Sequence, residues 1–159
     1  MNIQIQKATL NDLDLICGLN LKLFENEQGW HTTNRREWSS EPNGKSYFAS
    51  HLLEDNGVIF KAVVDDKVVG YLCGGWLRKY PFRKERLFAT LENMYVEAEF
   101  RNLGIGKLIV IEFEKWCKLK GVEVITVECV YENEKALKFY NTNGFKNHAV
   151  RLEKNIQGD

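Results

Sequence analysis

Apolar positions along this chain recur in two rhythms, every second residue and every third or fourth, and the changes of rhythm mark out its elements. Ile3 and Ile5 alternate with polar residues, which predicts a short strand. Leu13, Ile16, Leu19, Leu23 and Phe24 follow at helical spacing, with Thr9 or Asn11 placed to cap the helix. The stretch 24–47 is irregular, broken by Gly29, Pro42 and Gly44, and is expected to hold a second, short helix. Residues 58–64 and 68–77 read as strands joined by a hairpin turn at Asp65-Asp66-Lys67. A basic loop around Pro81 spans 78–86, and a further strand covers 87–96. A long amphipathic helix then runs from about Gly104 to Lys120, and Gly121 is a natural stop. Residues 122–130 are rich in β-branched side chains and predict a strand, 133–141 a short helix, and the segment after Gly144-Phe145 a last strand ending near Leu152.

The resulting order is β-α-α-β-β-β-α-β-α-β. Hairpins in the first half give antiparallel neighbours, and the crossover from 87 to 130 gives a parallel pair. The fold class expected is α/β: one domain over residues 1–159, with a mixed, mostly antiparallel sheet flanked by helices. No repeat, low-complexity tract or dividing linker interrupts it.

Composition narrows the function. The formal net charge of zero argues against a dedicated nucleic-acid binder. No apolar run approaches the roughly 20 residues that span a bilayer, and the N-terminus lacks a secretory pattern. Cys17, Cys73, Cys117 and Cys129 form no C-x-x-C pair, and His31, His51 and His148 are scattered, so no metal site is expected. These features predict a soluble protein of a reducing cytoplasm.

The most informative stretch is Arg101-Asn102-Leu103-Gly104-Ile105-Gly106-Lys107, between a strand and a helix. Two glycines one residue apart let the backbone turn tightly and approach a ligand closely. The helix that follows offers unpaired N–H groups and the positive end of its dipole. Strand, glycine turn and helix start together make a cradle for a pyrophosphate, with Arg101 and Lys107 as cations at its rim. The dinucleotide fingerprint needs a third glycine where Ile109 stands, and the nucleotide-triphosphate loop needs a Lys-Ser/Thr pair that is missing. Gly44-Lys45-Ser46 ends like that second loop, but Ser39 occupies the place of its first glycine, so this segment is read as an ordinary turn.

A second motif lies downstream: Asn133, Ala136, Phe139, Tyr140, Gly144 and Phe145 in the pattern N-x-x-A-x-x-F-Y-x-x-x-G-F. With Arg101, Gly104 and Gly106 in the pattern R-x-x-G-x-G, and with the strand Leu91-Glu92-Asn93-Met94-Tyr95-Val96 ahead of them, it resembles the GCN5-related N-acetyltransferase superfamily. The strict resemblance covers residues 87–153, and the order of elements extends it over nearly the whole chain.

The resemblance implies acetyl-coenzyme A as donor and a primary amine as acceptor, joined by direct attack through a tetrahedral intermediate. It implies that the sheet splays beside the strand holding Met94, Tyr95 and Val96, whose free amides pair with the pantetheine arm. The amides of Asn102, Leu103, Gly104, Ile105, Gly106 and Lys107 would hold the pyrophosphate, and Asn133 and Phe139 would border the cofactor. Asn133 is equally suited to cap its own helix. Tyr140 is the expected general acid at the departing sulfur and Glu92 the expected base, although a strand glutamate paired with Arg86 or Lys61 is the competing reading. For the acceptor, Glu25, Glu27, Trp30 and His31 would offer a carboxylate and an aromatic face, with Tyr80 and Phe82 opposite. A small-molecule amine is the expected acceptor. A protein N-terminus or lysine is the alternative, as is a noncatalytic acyl-coenzyme A sensor. Homodimerisation, common in the superfamily, has no diagnostic feature here.

Overall fold

The computed structural model describes residues 1–30, 34–84 and 86–158. The chain divides into two compact units, Met1–Glu128 and Cys129–Asp159. In the first, the alternating N-terminus forms β1 (Ile3–Lys7). Thr9 then starts a short 3-10 turn by donating its N–H to Asp12 Oδ2 at 2.9 Å, and this turn runs straight into α1 (Leu13–Glu27). The hairpin at Asp65-Asp66 joins β2 (Gly57–Val64) to β3 (Lys67–Lys79), and both aspartates adopt the positive φ of a tight two-residue turn. β4 (Leu87–Val96), α3 (Ile105–Leu119) and β5 (Val124–Val127) complete the unit.

The five strands lie in sequence order, antiparallel from β1 to β4, and β4 and β5 are parallel across the α3 crossover. This is the α/β, mostly antiparallel sheet that the apolar rhythm predicts. α1 and α2 (Pro42–Leu53) cover one face, where Ile16, Phe48, Ile59, Tyr71 and Cys73 are buried together with Tyr95. α3 covers the other, with Phe113 against Gly74 of β3. Each large apolar side chain fully removed from water contributes about 1.5–3 kcal/mol, so this double layer fixes the register of β3 and β4, which carry the site.

Three sequence expectations are corrected. The second helix is not a short element inside 24–47: α2 has 12 residues and reaches Leu53. Gly44, Lys45 and Ser46 are not a turn but lie in its first turns, behind Pro42 at a position that tolerates a missing N–H. Gly44 is there because the chain at Trp38 passes so close that a Cβ would stand 2.1 Å from the Trp38 carbonyl oxygen. Finally, residues 145–154 form no strand, and β5 is limited to Val124–Val127. A strand exists only along a ladder, and β4 offers β5 partners only from Phe88 to Leu91.

The second unit holds α4 (Glu134–Thr142), capped by Asn133, whose Oδ1 accepts the Ala136 N–H at 3.1 Å. No described helix is long and apolar enough to cross a membrane.

Candidate active site

The ladder between β3 and β4 skips Glu92: Cys73 faces Asn93, and Gly74 faces Leu91. The extra residue is a β-bulge, which breaks strand alternation. Adjacent side chains, Glu92 and Asn93, therefore both reach residues under α1 and α2. Glu92 Oε2 accepts the Tyr47 hydroxyl at 2.8 Å and lies 2.5 Å from His51 Nε2. Asn93 donates to Tyr47 Oη at 3.2 Å and accepts from Tyr71 Oη at 2.7 Å, and Tyr71 accepts from Asn20 at 2.9 Å.

His51 is fully buried, and its Nδ1 meets the Tyr47 carbonyl oxygen at 2.8 Å. A carbonyl only accepts, so Nδ1 carries a proton. Burial, with Cys73 and Glu92 adjacent, pushes the Tyr47 phenol far above its ordinary range, and burial does the same to the Cys73 thiol. Tyr47 thus remains a donor at any working pH. His51, Cys73 and Glu92 bring their polar atoms within 4.8 Å of one another although they are scattered in the sequence.

With Oε2 held twice, Glu92 Oε1 has no partner among the described residues, and the side chain is 20% exposed. Glu92 lines an open pocket of about 230 Å3 with Asn56, Trp76, Leu77 and Arg78. A second irregularity builds the opposite wall: Trp76 and Leu77 are skipped between the pairs Gly75–Thr90 and Arg78–Phe88. Trp76 takes a φ of 47°, which costs a bulky residue about 1–3 kcal/mol. Its N–H is tied to the Asn56 carbonyl at 2.6 Å, and its ring meets that of His51 with centroids 4.4 Å apart.

β4 continues past Leu91, its last partner on β5, from Glu92 to Val96. The Glu97 N–H bonds Val69 O on the β3 side, so strand alternation turns the amides of Met94 and Val96 to the opposite edge, where the β5 ladder has ended. Tyr95 buries its ring in the core. Beyond β4, Arg101 turns back: its Nε donates to Val96 O at 2.9 Å, and its guanidinium lies over the Tyr95 ring. Arg101 therefore braces the end of β4 as well as lining the loop. Asn102 and Gly104 have φ of 62° and 79°. Gly104 starts α3 with no side-chain cap, and the amides of Ile105, Gly106 and Lys107 have no partner among the described residues. A Cβ on Gly104 would meet nothing within 4 Å, so the turn is open on that side. An uncapped helix start beside an open, left-handed glycine fits a diphosphate. Leu103 and Lys107 are exposed, and Ile105 is buried.

In the second unit, Tyr140 is half-buried and packs edge-on against Phe139 and Phe145, with centroids 5.3 and 5.5 Å away. Asn133 commits its oxygen to the cap.

The expected acceptor residues lie elsewhere than the pocket beside Glu92. Glu25 pairs with Arg36, Glu27 closes α1, and Trp30 is 44% exposed. His31 lies outside the described residues. Tyr80 and Phe82 pack with tilted rings, centroids 5.7 Å apart, and Phe82 is 79% exposed. Neither expected partner of Glu92 holds it: Lys61 bonds Asp12 at 2.6 Å, and Arg86 makes no bond among the described residues. The residues that sequence reasoning missed are Tyr47, His51, Asn56, Trp76 and Arg78. The one signal for them was Gly74-Gly75 inside a strand, a mark of a bulge.

An open sheet edge, an uncapped helix start and a carboxylate at a bulge thus lie along β4 and the loop that follows it. The model of the acetyltransferase (GNAT) family matches residues 22–145, and the chain belongs to that family. The chain is 24% identical over 148 residues to an uncharacterized N-acetyltransferase of Methanocaldococcus jannaschii, which covers 92% of this chain; the match spans 62% of that relative's length. It is 24% identical over 152 residues to a spermidine N(1)-acetyltransferase of Thermoplasma acidophilum, covering 92% of this chain and 89% of the relative. Among solved structures, a tetramutant of the BH1408 protein from Bacillus halodurans shares the fold with a TM-score of 0.82, at 19% identity over 96% of this chain and 99% of that one.

Proposed function

We propose that the chain works as one acetyltransferase domain that moves acetyl from acetyl-coenzyme A to the primary amine of a small molecule. The observation that carries this is Glu92: a carboxylate with one oxygen clamped and the other free, at the point where β4 leaves β5 and opens its edge. The similarity to a spermidine acetyltransferase supports a small amine as acceptor.

In this reading the open amides of Met94 and Val96 take the pantetheine arm as a partner strand would. The turn at Gly104 and the first amides of α3 take the diphosphate. Glu92 Oε1 receives a proton from the substrate ammonium, which frees the lone pair. The amine nitrogen attacks the thioester carbon, forming the N–C bond and a tetrahedral intermediate whose oxygen gains charge near a β4 amide. The C–S bond then breaks, Tyr140 donates its proton to the departing sulfur, and the nitrogen releases its second proton to solvent, from which the phenolate is reprotonated. A thiol ionises near 8.5 and a phenol near 10, so a hydrogen bond followed by late protonation is enough, at roughly these ordinary values. Cys17, Cys73 and Cys117 are buried thiols outside any disulfide, as a reducing compartment keeps them, and the cytoplasm is the proposed location.

The test is release of coenzyme A thiol on incubation with acetyl-coenzyme A and a panel of amines. Tyr140→Phe and Glu92→Gln should each lose about 100-fold or more, the scale of acid–base catalysis. Turnover equal to the unmodified enzyme in both variants overturns the assigned roles.

A further inference from the structure

We propose that the acceptor is a small amine bearing an anionic group, with Glu92 and Asn56 taking the ammonium end and Arg78 the anionic end. This rests on the acetyl-transfer reading above and narrows its substrate class. Five residues line the pocket, and among them stand one carboxylate, Glu92, and one guanidinium, Arg78. They do not satisfy each other: Glu92 spends Oε2 on Tyr47 and His51, and Arg78 makes no hydrogen bond or ion pair among the described residues. A pocket that holds one free carboxylate oxygen and one unpaired guanidinium matches a ligand with an ammonium at one end and an anionic group at the other.

A third observation is independent of the charges. Asn56 Oδ1 is buried without a hydrogen-bond partner, and Asn56 lines the same pocket. A buried unpaired acceptor costs free energy unless a ligand or water serves it. An ammonium has three N–H groups: one gives its proton to Glu92 Oε1, and another is available to Asn56 Oδ1. Trp76, held in its strained conformation by the Asn56 carbonyl, lines the same pocket.

The surroundings bias the pocket the same way. Lys79, Lys84 and Arg86 follow Arg78 in the chain, and no carboxylate pairs with them among the described residues. These cations lie at the opposite end of β4 from Gly104, about 30 Å along a ten-residue strand, so they are not rim charges of the diphosphate cradle. A polyamine or aminoglycoside would bring several positive charges up to this basic margin. The volume of about 230 Å3 is also below the roughly 300–1,000 Å3 of pockets for drug-sized ligands. Amino acids and aminoalkyl phosphates fit both size and charge.

The experiment compares glycine and other α-amino acids, phosphoethanolamine, spermidine and an uncharged-tail monoamine, each with acetyl-coenzyme A, in the native protein, Arg78→Gln and Arg78→Glu. The expected result is kcat/KM for the anionic-tailed amines about ten- to a hundredfold above spermidine, the scale of one charge-assisted pair. Arg78→Gln should remove that advantage while sparing the uncharged-tail amine, and Arg78→Glu should turn preference toward spermidine. Spermidine acetylated as well as the amino acids by the native protein overturns the proposal, as does an equal loss for every amine in Arg78→Gln. If no amine is acetylated, the acetyl-transfer reading fails. Calorimetric binding of the same panel to native protein and Arg78→Gln then decides the pocket's charge preference, and equal or absent binding of the anionic-tailed amines refutes it.

Discussion

Replacing Tyr47 by Phe removes one oxygen and keeps the ring. The ring's contacts with Trp38, Phe48 and His51, at centroid distances of 5.2, 4.9 and 4.6 Å, all survive. Two hydrogen bonds do not. The first is the donation to Glu92 Oε2 at 2.8 Å, a bond to a group carrying charge and worth about 1.5–3 kcal/mol. The second is the bond from Asn93 at 3.2 Å; losing it leaves a half-buried amide without its acceptor, at about 1 kcal/mol. The sum is about 2.5–4 kcal/mol, and at about 2–4 °C per kcal/mol for a chain of this size Tm should fall by about 5–16 °C. Glu92 would then hang on His51 alone. Its free oxygen would sample more positions, so kcat/KM for the amine should fall about tenfold, the scale of a lost supporting bond. Thermal melts followed by circular dichroism and steady-state thiol release check both numbers. A Tm within about 1 °C of the native protein, with unchanged kcat/KM, would refute the clamp.

Two further outcomes test the rest of the frame. Gly104→Ala should cost only about 1 kcal/mol of stability, the penalty of a left-handed residue without a clash, because space at that position is open. Its KM for acetyl-coenzyme A should rise about tenfold or more as the methyl group enters the cradle; an unchanged KM would place the diphosphate elsewhere. Asp12→Asn tests the brace at the start of α1. Burial pushes the Asp12 carboxyl up, but Lys61 and the Thr9 N–H outweigh it and hold it below its ordinary 3.8. A depressed carboxylate contributes stability that is whole above 3.8 and is lost as pH falls through its lower folded value. Tm of the native protein should therefore drop more steeply than that of Asp12→Asn below about pH 4. Parallel acid limbs would remove the ion pair from the account.

What neighbours in the chain determine and what distant contacts determine divide clearly in this fold. Helix and strand identities in the first 128 residues, α2 apart, followed from spacing, since each amphipathic element must turn its apolar face to the core. The turn at Asp65-Asp66 and the loop at Gly104 were legible because only a few residue types accept their backbone angles. Gly44 was misread because a glycine chosen for close packing against Trp38 looks, in one dimension, like a glycine chosen for a turn. The last predicted strand failed because apolar alternation shows that a segment can pair, whereas a strand also requires a partner edge.

The site shows the same division more sharply. The composition of the 101–107 loop and the presence of Glu92 on the strand before it were set by the chain alone, because a tight turn and a helix start are properties of neighbours in sequence. The surroundings of Glu92 were decided by the tertiary structure. His51, Tyr47, Asn56 and Trp76 reach it from α2, the loop that follows and β3, and a bulge of one residue turns it toward them. Sequence spacing carries no record of such meetings, since they depend on how two bulged strands and a helix pack in three dimensions.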